Sequence, residues 1–117
     1  MKFDRGKLFA SSNDFFELGG SATMKLSANA TYNLCGEASG HDLLIIRIEG
    51  GIWSPGRFEA RLDCIRDGLD PSVTRADAIE NNNDAAEFVR IESTMVRQDS
   101  APYNAFTFTV CHISERF

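Results

Sequence analysis

From Ala22 to Leu34 apolar and polar positions alternate without a break. Ala22, Met24, Leu26, Ala28, Ala30, Tyr32 and Leu34 hold the even places; Thr23, Lys25, Ser27, Asn29, Thr31 and Asn33 hold the odd ones. A period of two sets one group on each face of a strand, so this stretch predicts a strand with one buried side. Thirteen residues at ~3.3 Å each reach about 43 Å, long for a single strand. A bend or bulge near the small residues Ala28 and Ala30 is therefore expected. Leu43 to Ile48 starts apolar on both faces, as a central strand does, and Gly50-Gly51 then marks a bulge or a close backbone approach. Phe58, Ala60, Leu62 and Cys64 alternate with Arg57, Glu59, Arg61 and Asp63, predicting another half-buried strand after a Ser54-Pro55-Gly56-Arg57 connection. Type II turns splay hairpin strands, so that connection is expected to be wider than two residues. Val89, Ile91 and Met95 predict a further strand, Phe106, Phe108 and Val110 the last, and Lys7–Ala10 with Phe15–Leu18 one or two more at the start.

The alternation lapses between residues 66 and 87. Asp70-Pro71 interrupts the chain, Ser72 or Thr74 offers a helix cap, and Asn81-Asn82-Asn83 is a run of poor helix formers. A short helix around 72–80 followed by a loop is the expectation. The predicted fold is mainly β: an antiparallel β-sandwich or open barrel of about six or seven strands with that one helix. No linker, composition shift or repeat divides the chain, so residues 1–117 are read as a single globular domain.

Charge sharpens this picture. Residues 63 to 92 carry eight acids against three arginines, a difference equal to the whole chain's formal charge of −5; on either side acids and bases balance. On helical geometry Asp77, Glu80, Asp84 and Glu87 share one stripe, with Ile79 and Ala86 opposite and facing a core. A localised excess of one sign steers a partner of the other. The acidic balance and the scarcity of lysine argue against a nucleic-acid backbone as ligand. No run approaches the ~18 apolar residues of a membrane span, and the first residues lack the apolar core of a secretory signal. Three widely spaced cysteines suit a reducing compartment, and the expected location is cytoplasmic.

Candidate chemistry is sparse. Cys35, Cys64, Cys111, His41 and His112 lack the short ligand spacings of a zinc site, and Asp67, Asp70, Asn83 and Asp84 do not form an EF-hand loop. No nucleophile elbow, phosphate loop or paired catalytic carboxylate is present. The expectation is a protein without enzymatic activity, metal or cofactor. The tip around Trp53 and Arg57 carries the only tryptophan next to an arginine, both residue types that concentrate interface energy.

By elimination the sequence points to a small binding protein that inhibits or neutralises a macromolecule through an acidic surface. Such a protein is of the immunity type, or of the kind a phage or mobile element turns against host defence. The expected partner is a protein with a basic surface, met by Asp67, Asp70, Asp77, Glu80, Asp84, Glu87, Trp53 and Arg57, with no direct nucleic-acid or membrane contact; a homo-oligomer is compatible. Two alternatives stand beside it. One is a β-sandwich holding a small ligand or carbohydrate at the Trp53 tip. The other is a self-assembling virion-type subunit joined through strand edges.

Overall fold

A computed structural model describes residues 3–69, 74–97 and 101–113. Along the chain run β1 (Leu8–Phe9), α1 (Ser12–Glu17), β2 (Lys25–Ser27), α2 (Ala28–Glu37), a 3-10 turn (Ala38–His41), β3 (Leu43–Ser54), β4 (Arg57–Asp67), α3 (Arg75–Thr94) and β5 (Ala105–His112). One open sheet is ordered β1-β2-β5-β3-β4. Only the short β1–β2 pairing is parallel. The strand-rich expectation fits loosely, because the fold is mixed α/β. The sheet does not close into a barrel or stack on a second sheet. Helices supply the second layer instead: Ala30, Leu34 and Cys35 of α2 and Ala85 and Val89 of α3 bury against Ile45, Ile48, Phe106 and Phe108 of the sheet.

The long predicted strand is where sequence and structure part most. The strand ends at Ser27, whose hydroxyl accepts a hydrogen bond from the Ala30 N–H at 3.2 Å and caps α2. Its buried positions, Ala30, Thr31, Leu34 and Cys35, follow a spacing of three and four. Ala30 and Leu34 satisfy both periods, which is why alternation persisted across the boundary. Tyr32, which a strand would bury, is exposed. The expected bend is thus a change from strand to helix. Likewise Phe15 lies in α1 rather than in a strand.

β3 takes the central place predicted for it. An extra residue at Ile46 shifts its register against β5, so that Ile45 and then Ile48 both face the main core. The Gly50-Gly51 pair is a place of close approach: a Cβ on Gly50 would stand 2.4 Å from the Cys64 Sγ, and one on Gly51 2.0 Å from the Glu59 carbonyl oxygen. Opposite this point β4 carries a bulge. It turns Leu62 outward to 93% exposure, so only Cys64 of the four predicted inward residues is fully buried. The β3–β4 connection is narrower than expected. Ser54 pairs with Arg57 across Pro55 and Gly56, and Gly56 adopts φ +77°, a conformation glycine accepts without strain.

The predicted helix at 72–80 is a twenty-residue helix, Arg75–Thr94, that absorbs the strand expected at Val89–Met95. Ser72 lies outside the described residues; Thr74 supplies the cap, accepting from the Asp77 N–H at 3.1 Å. The asparagine run does not end the helix because two of its members are bound to the sheet. β4 stops at Asp67, leaving the outer edge of Leu43–Ile45 without a strand partner. Asn82 donates to the Leu43 carbonyl at 2.9 Å and accepts from the Ile45 N–H at 3.0 Å. Asn81 donates to the Ile45 carbonyl at 2.9 Å and accepts from the Leu69 N–H at 3.1 Å. These two amides complete the ladder where the strand is missing, and buried backbone groups require such partners.

Replacing Asn82 by leucine keeps volume but strands two backbone groups, at roughly 1–3 kcal/mol each. Urea denaturation of Asn82→Leu should show that loss, whereas Asn83→Ala, an exposed neighbour, should stay within about 0.7 kcal/mol of the parent. Equal midpoints for the two variants would refute the edge-completing role.

Candidate functional site

Binding Asn81 and Asn82 to β3 fixes the rotation of α3. Ala78, Asn81, Asn82, Ala85 and Val89 turn inward, and Asp77, Glu80, Asp84 and Glu87 turn to solvent. The acidic stripe read from sequence therefore exists as one exposed helix face. The inward stripe differs from the predicted one: Ala86 packs on the core, but Ile79 is 41% exposed. Asn81 and Asn82, polar by type, occupy the inward places that hydropathy alone gives to Ile79.

Partners differ along this face. The Arg90 guanidinium hydrogen-bonds the Glu87 carboxylate one turn away and holds it below its ordinary pKa. Among the described residues Asp77, Glu80 and Asp84 have no ion-pair partner. Asp77 in the first turn also lies where the helix dipole favours a negative charge. Neighbouring acids at spacings of three and four cost an isolated helix about 0.2–0.5 kcal/mol per pair. The packing of the inward stripe offsets that cost, so a stable helix displays three uncompensated carboxylates in a row.

The other predicted contact residues are dispersed. Asp67 ends β4 and accepts a hydrogen bond from Arg47 at 2.8 Å; Arg47 also binds Glu49 at 2.8 Å. Asp70 lies outside the described residues. Trp53 and Arg57 sit at the hairpin end of β3 and β4, with the Trp53 N–H donating to the Asn104 side-chain oxygen at 2.8 Å. Trp53 is half-buried and Arg57 exposed. From Ile45, beside Asn82, Trp53 is eight residues along β3, about 26 Å at ~3.3 Å per residue. The hairpin tip and the N-terminal acids of α3 thus mark separate places on the surface.

Boundary acids also find partners. Asp63 accepts a 2.6 Å hydrogen bond from the Tyr103 hydroxyl, and Glu92 pairs with Arg97 at 2.6 Å. Burial, helped by the Asp63 hydrogen bond, raises the Tyr103 hydroxyl pKa.

The cysteines and histidines fall apart as a ligand set. Cys35 and Cys64 are buried and far from reactive: desolvation pushes each thiol up to about 12, and the nearby Glu92 carboxylate adds to the effect at Cys64. Burial also raises Cys111, which is half-exposed. Among the described residues no three His, Cys, Asp or Glu side chains are placed to hold a metal ion. His41 and His112, 71 residues apart in sequence, do converge on a groove of about 360 Å³ lined by Phe15, Phe16, Leu43 and Val110. The His41 ring lies flat on Phe16, with centroids 3.6 Å apart. Sequence spacing held no signal for that convergence, which depends on Leu43 pairing with His112.

Among the described residues the most distinctive surface is thus an exposed acidic helix face on a sheet scaffold. Comparison with known proteins gives the class. Residues 24–111, which span β2 through nearly all of β5, match the family described as Colicin-E5 Imm protein. The chain is also 56% identical over 93 residues to an immunity protein, CdiI, of Burkholderia pseudomallei, covering 80% of this chain and 85% of that one. This protein is an immunity protein, one that neutralises a toxin. It belongs to the colicin-E5 Imm family.

The thiol environments lead to a simple expectation. At pH 8 the folded protein should expose Cys111 alone to a disulfide-exchange reagent, slowly, and all three thiols in urea. Rapid reaction of Cys35 or Cys64 in the folded protein would contradict their burial.

Proposed function

We propose that this immunity protein works without chemistry of its own, binding its toxin through the exposed acidic face of α3 and covering a basic surface on it. The observation that carries this reading is the row of carboxylates at Asp77, Glu80, Asp84 and Glu87, three of them unpaired among the described residues. Like charges so arranged weaken the helix, whereas a partner's lysines and arginines convert that penalty into attraction. Electrostatic steering also speeds encounter, which suits a protein that must reach a toxin before it acts. Asp67 is already paired with Arg47 and Asp70 lies outside the described residues, so the reading does not rest on them. The Trp53–Arg57 tip offers a second contact, on which the acidic face does not depend. Among the described residues no helix is long and apolar enough to cross a membrane. The cytoplasm is the proposed place of action.

The test is a variant carrying Asp77→Lys, Glu80→Lys, Asp84→Lys and Glu87→Lys, titrated against the purified cognate toxin by calorimetry and stopped-flow. The reversal gives up the Glu87–Arg90 pair and the favourable placement of Asp77 at the helix N-terminus, so circular dichroism first establishes that α3, held by its inward packing, remains folded. Affinity should fall at least a hundredfold, with much of the loss in the association rate, and the parent's association rate should drop steeply with salt. Undiminished affinity would remove the acidic face from the mechanism. Loss of binding in Trp53→Ala alone would move the contact to the hairpin tip.

A further inference from the structure

Beyond Glu87 the exposed side of α3 carries Ile91, and Met95 follows the helix as its C-cap; each is 41% exposed, so apolar side chains succeed the acids at this end. Just beyond, Val96 is 88% exposed, and Leu62 on the β4 bulge is 93% exposed. These last two belong to segments that are tied together. Tyr103 donates its hydroxyl to Asp63, next to Leu62. The Arg97 guanidinium, next to Val96, lies 3.6 Å from the Tyr103 ring centroid, pairs with Glu92 at 2.6 Å, and donates to the Met95 carbonyl at 3.3 Å. The Arg97 and Glu92 side chains are only 11% and 14% exposed, so the tie is shielded from solvent.

We infer that Ile91, Met95, Val96 and Leu62 form an apolar anchor that enters a hydrophobic recess on the toxin beside the basic surface facing Asp77–Glu87. The inference rests on the acidic face being the toxin contact, and it adds where the tight part of that contact lies. An exposed charge pair steers and orients but adds little net affinity, and its reversal weakens binding mainly by adding repulsion, whereas interface energy concentrates in a few apolar or aromatic residues surrounded by polar ones. Ile91 follows the acids on α3, and Met95 and Val96 come directly after the helix, so a basic partner drawn to the acids is brought beside them. The hydrogen-bonded tie holds Leu62 and Val96 in place before binding, which lowers the ordering cost that mobile side chains carry.

The test compares two variants against the purified cognate toxin: an apolar one, Leu62→Ser with Ile91→Gln, Met95→Gln and Val96→Ser, and the four-acid reversal. All four apolar positions are solvent-exposed, so the melting temperature should stay near the parent's. The apolar variant should bind at least tenfold more weakly, chiefly through faster dissociation, while the acid reversal acts chiefly on association. Apolar-variant affinity within twofold of the parent, with the acid reversal still damaging, would overturn the anchor and leave the acidic contact standing. If neither variant weakens binding, the acidic contact itself fails and the anchor falls with it. If only the apolar variant weakens binding, the two surfaces are not one contact and the inference is overturned. Light scattering guards the last possibility. A dimer of the free protein that the apolar variant alone converts to monomer, with toxin affinity intact, would assign these residues to a second copy of the chain.

Discussion

Two side-chain amides at the edge of β3 decide how the rest of this molecule is arranged. β4 ends at Asp67, opposite Arg47, and so leaves the outer edge of Leu43–Ile45 uncovered; an exposed ladder edge of this kind invites unwanted pairing. Asn81 and Asn82 occupy that edge with hydrogen bonds of 2.9–3.0 Å to Leu43 and Ile45. Asparagine is a poor interior helix residue because its side chain competes for backbone groups. Here that competition is satisfied on a neighbouring strand, so the helix continues through it for twenty residues. The same contacts fix which side of α3 faces the sheet, and thereby which side displays its acids.

How much of this was legible depends on whether period and partner agreed. β3 and β5 were readable because a central strand must be apolar, and Gly50-Gly51 announced a close approach that the Cys64 sulfur and the Glu59 carbonyl account for. α2 was hidden because Ala30 and Leu34 fit a strand and a helix equally, and the deciding contact, the Ser27 cap, is a matter of three-dimensional geometry. α3 was cut short at Glu80 because Asn81 and Asn82 carry no apolar signal; their partners lie 36 to 39 residues away. Leu62 was assigned inward because alternation cannot foresee a bulge that reverses faces. The charge excess, by contrast, needed no fold to be seen. Its placement on an exposed helix rather than on a loop is what the structure adds.

Membership in an immunity family makes this arrangement intelligible as a device for recognition. The carboxylates stand on a helix anchored by packing and by the asparagine contacts, so little order has to be acquired on binding. Their mutual repulsion is a modest cost borne by the free protein and relieved by a cationic partner. Where the stripe turns apolar, the Glu92–Arg97–Tyr103–Asp63 chain secures the neighbouring loop and bulge. Under the proposed contact, long-range attraction and short-range fit would belong to neighbouring parts of one surface, at a distance from the hairpin tip.

The account stands or falls on whether the toxin covers the outer face of α3. Carbodiimide labelling of carboxylates, read residue by residue by mass spectrometry with and without the cognate toxin, measures this directly. Asp77, Glu80, Asp84 and Glu87 should label readily in the free protein and become protected in the complex, while Asp14 and Glu17 on α1 should label equally in both. Unchanged labelling of the four α3 acids in a saturated complex would contradict the account.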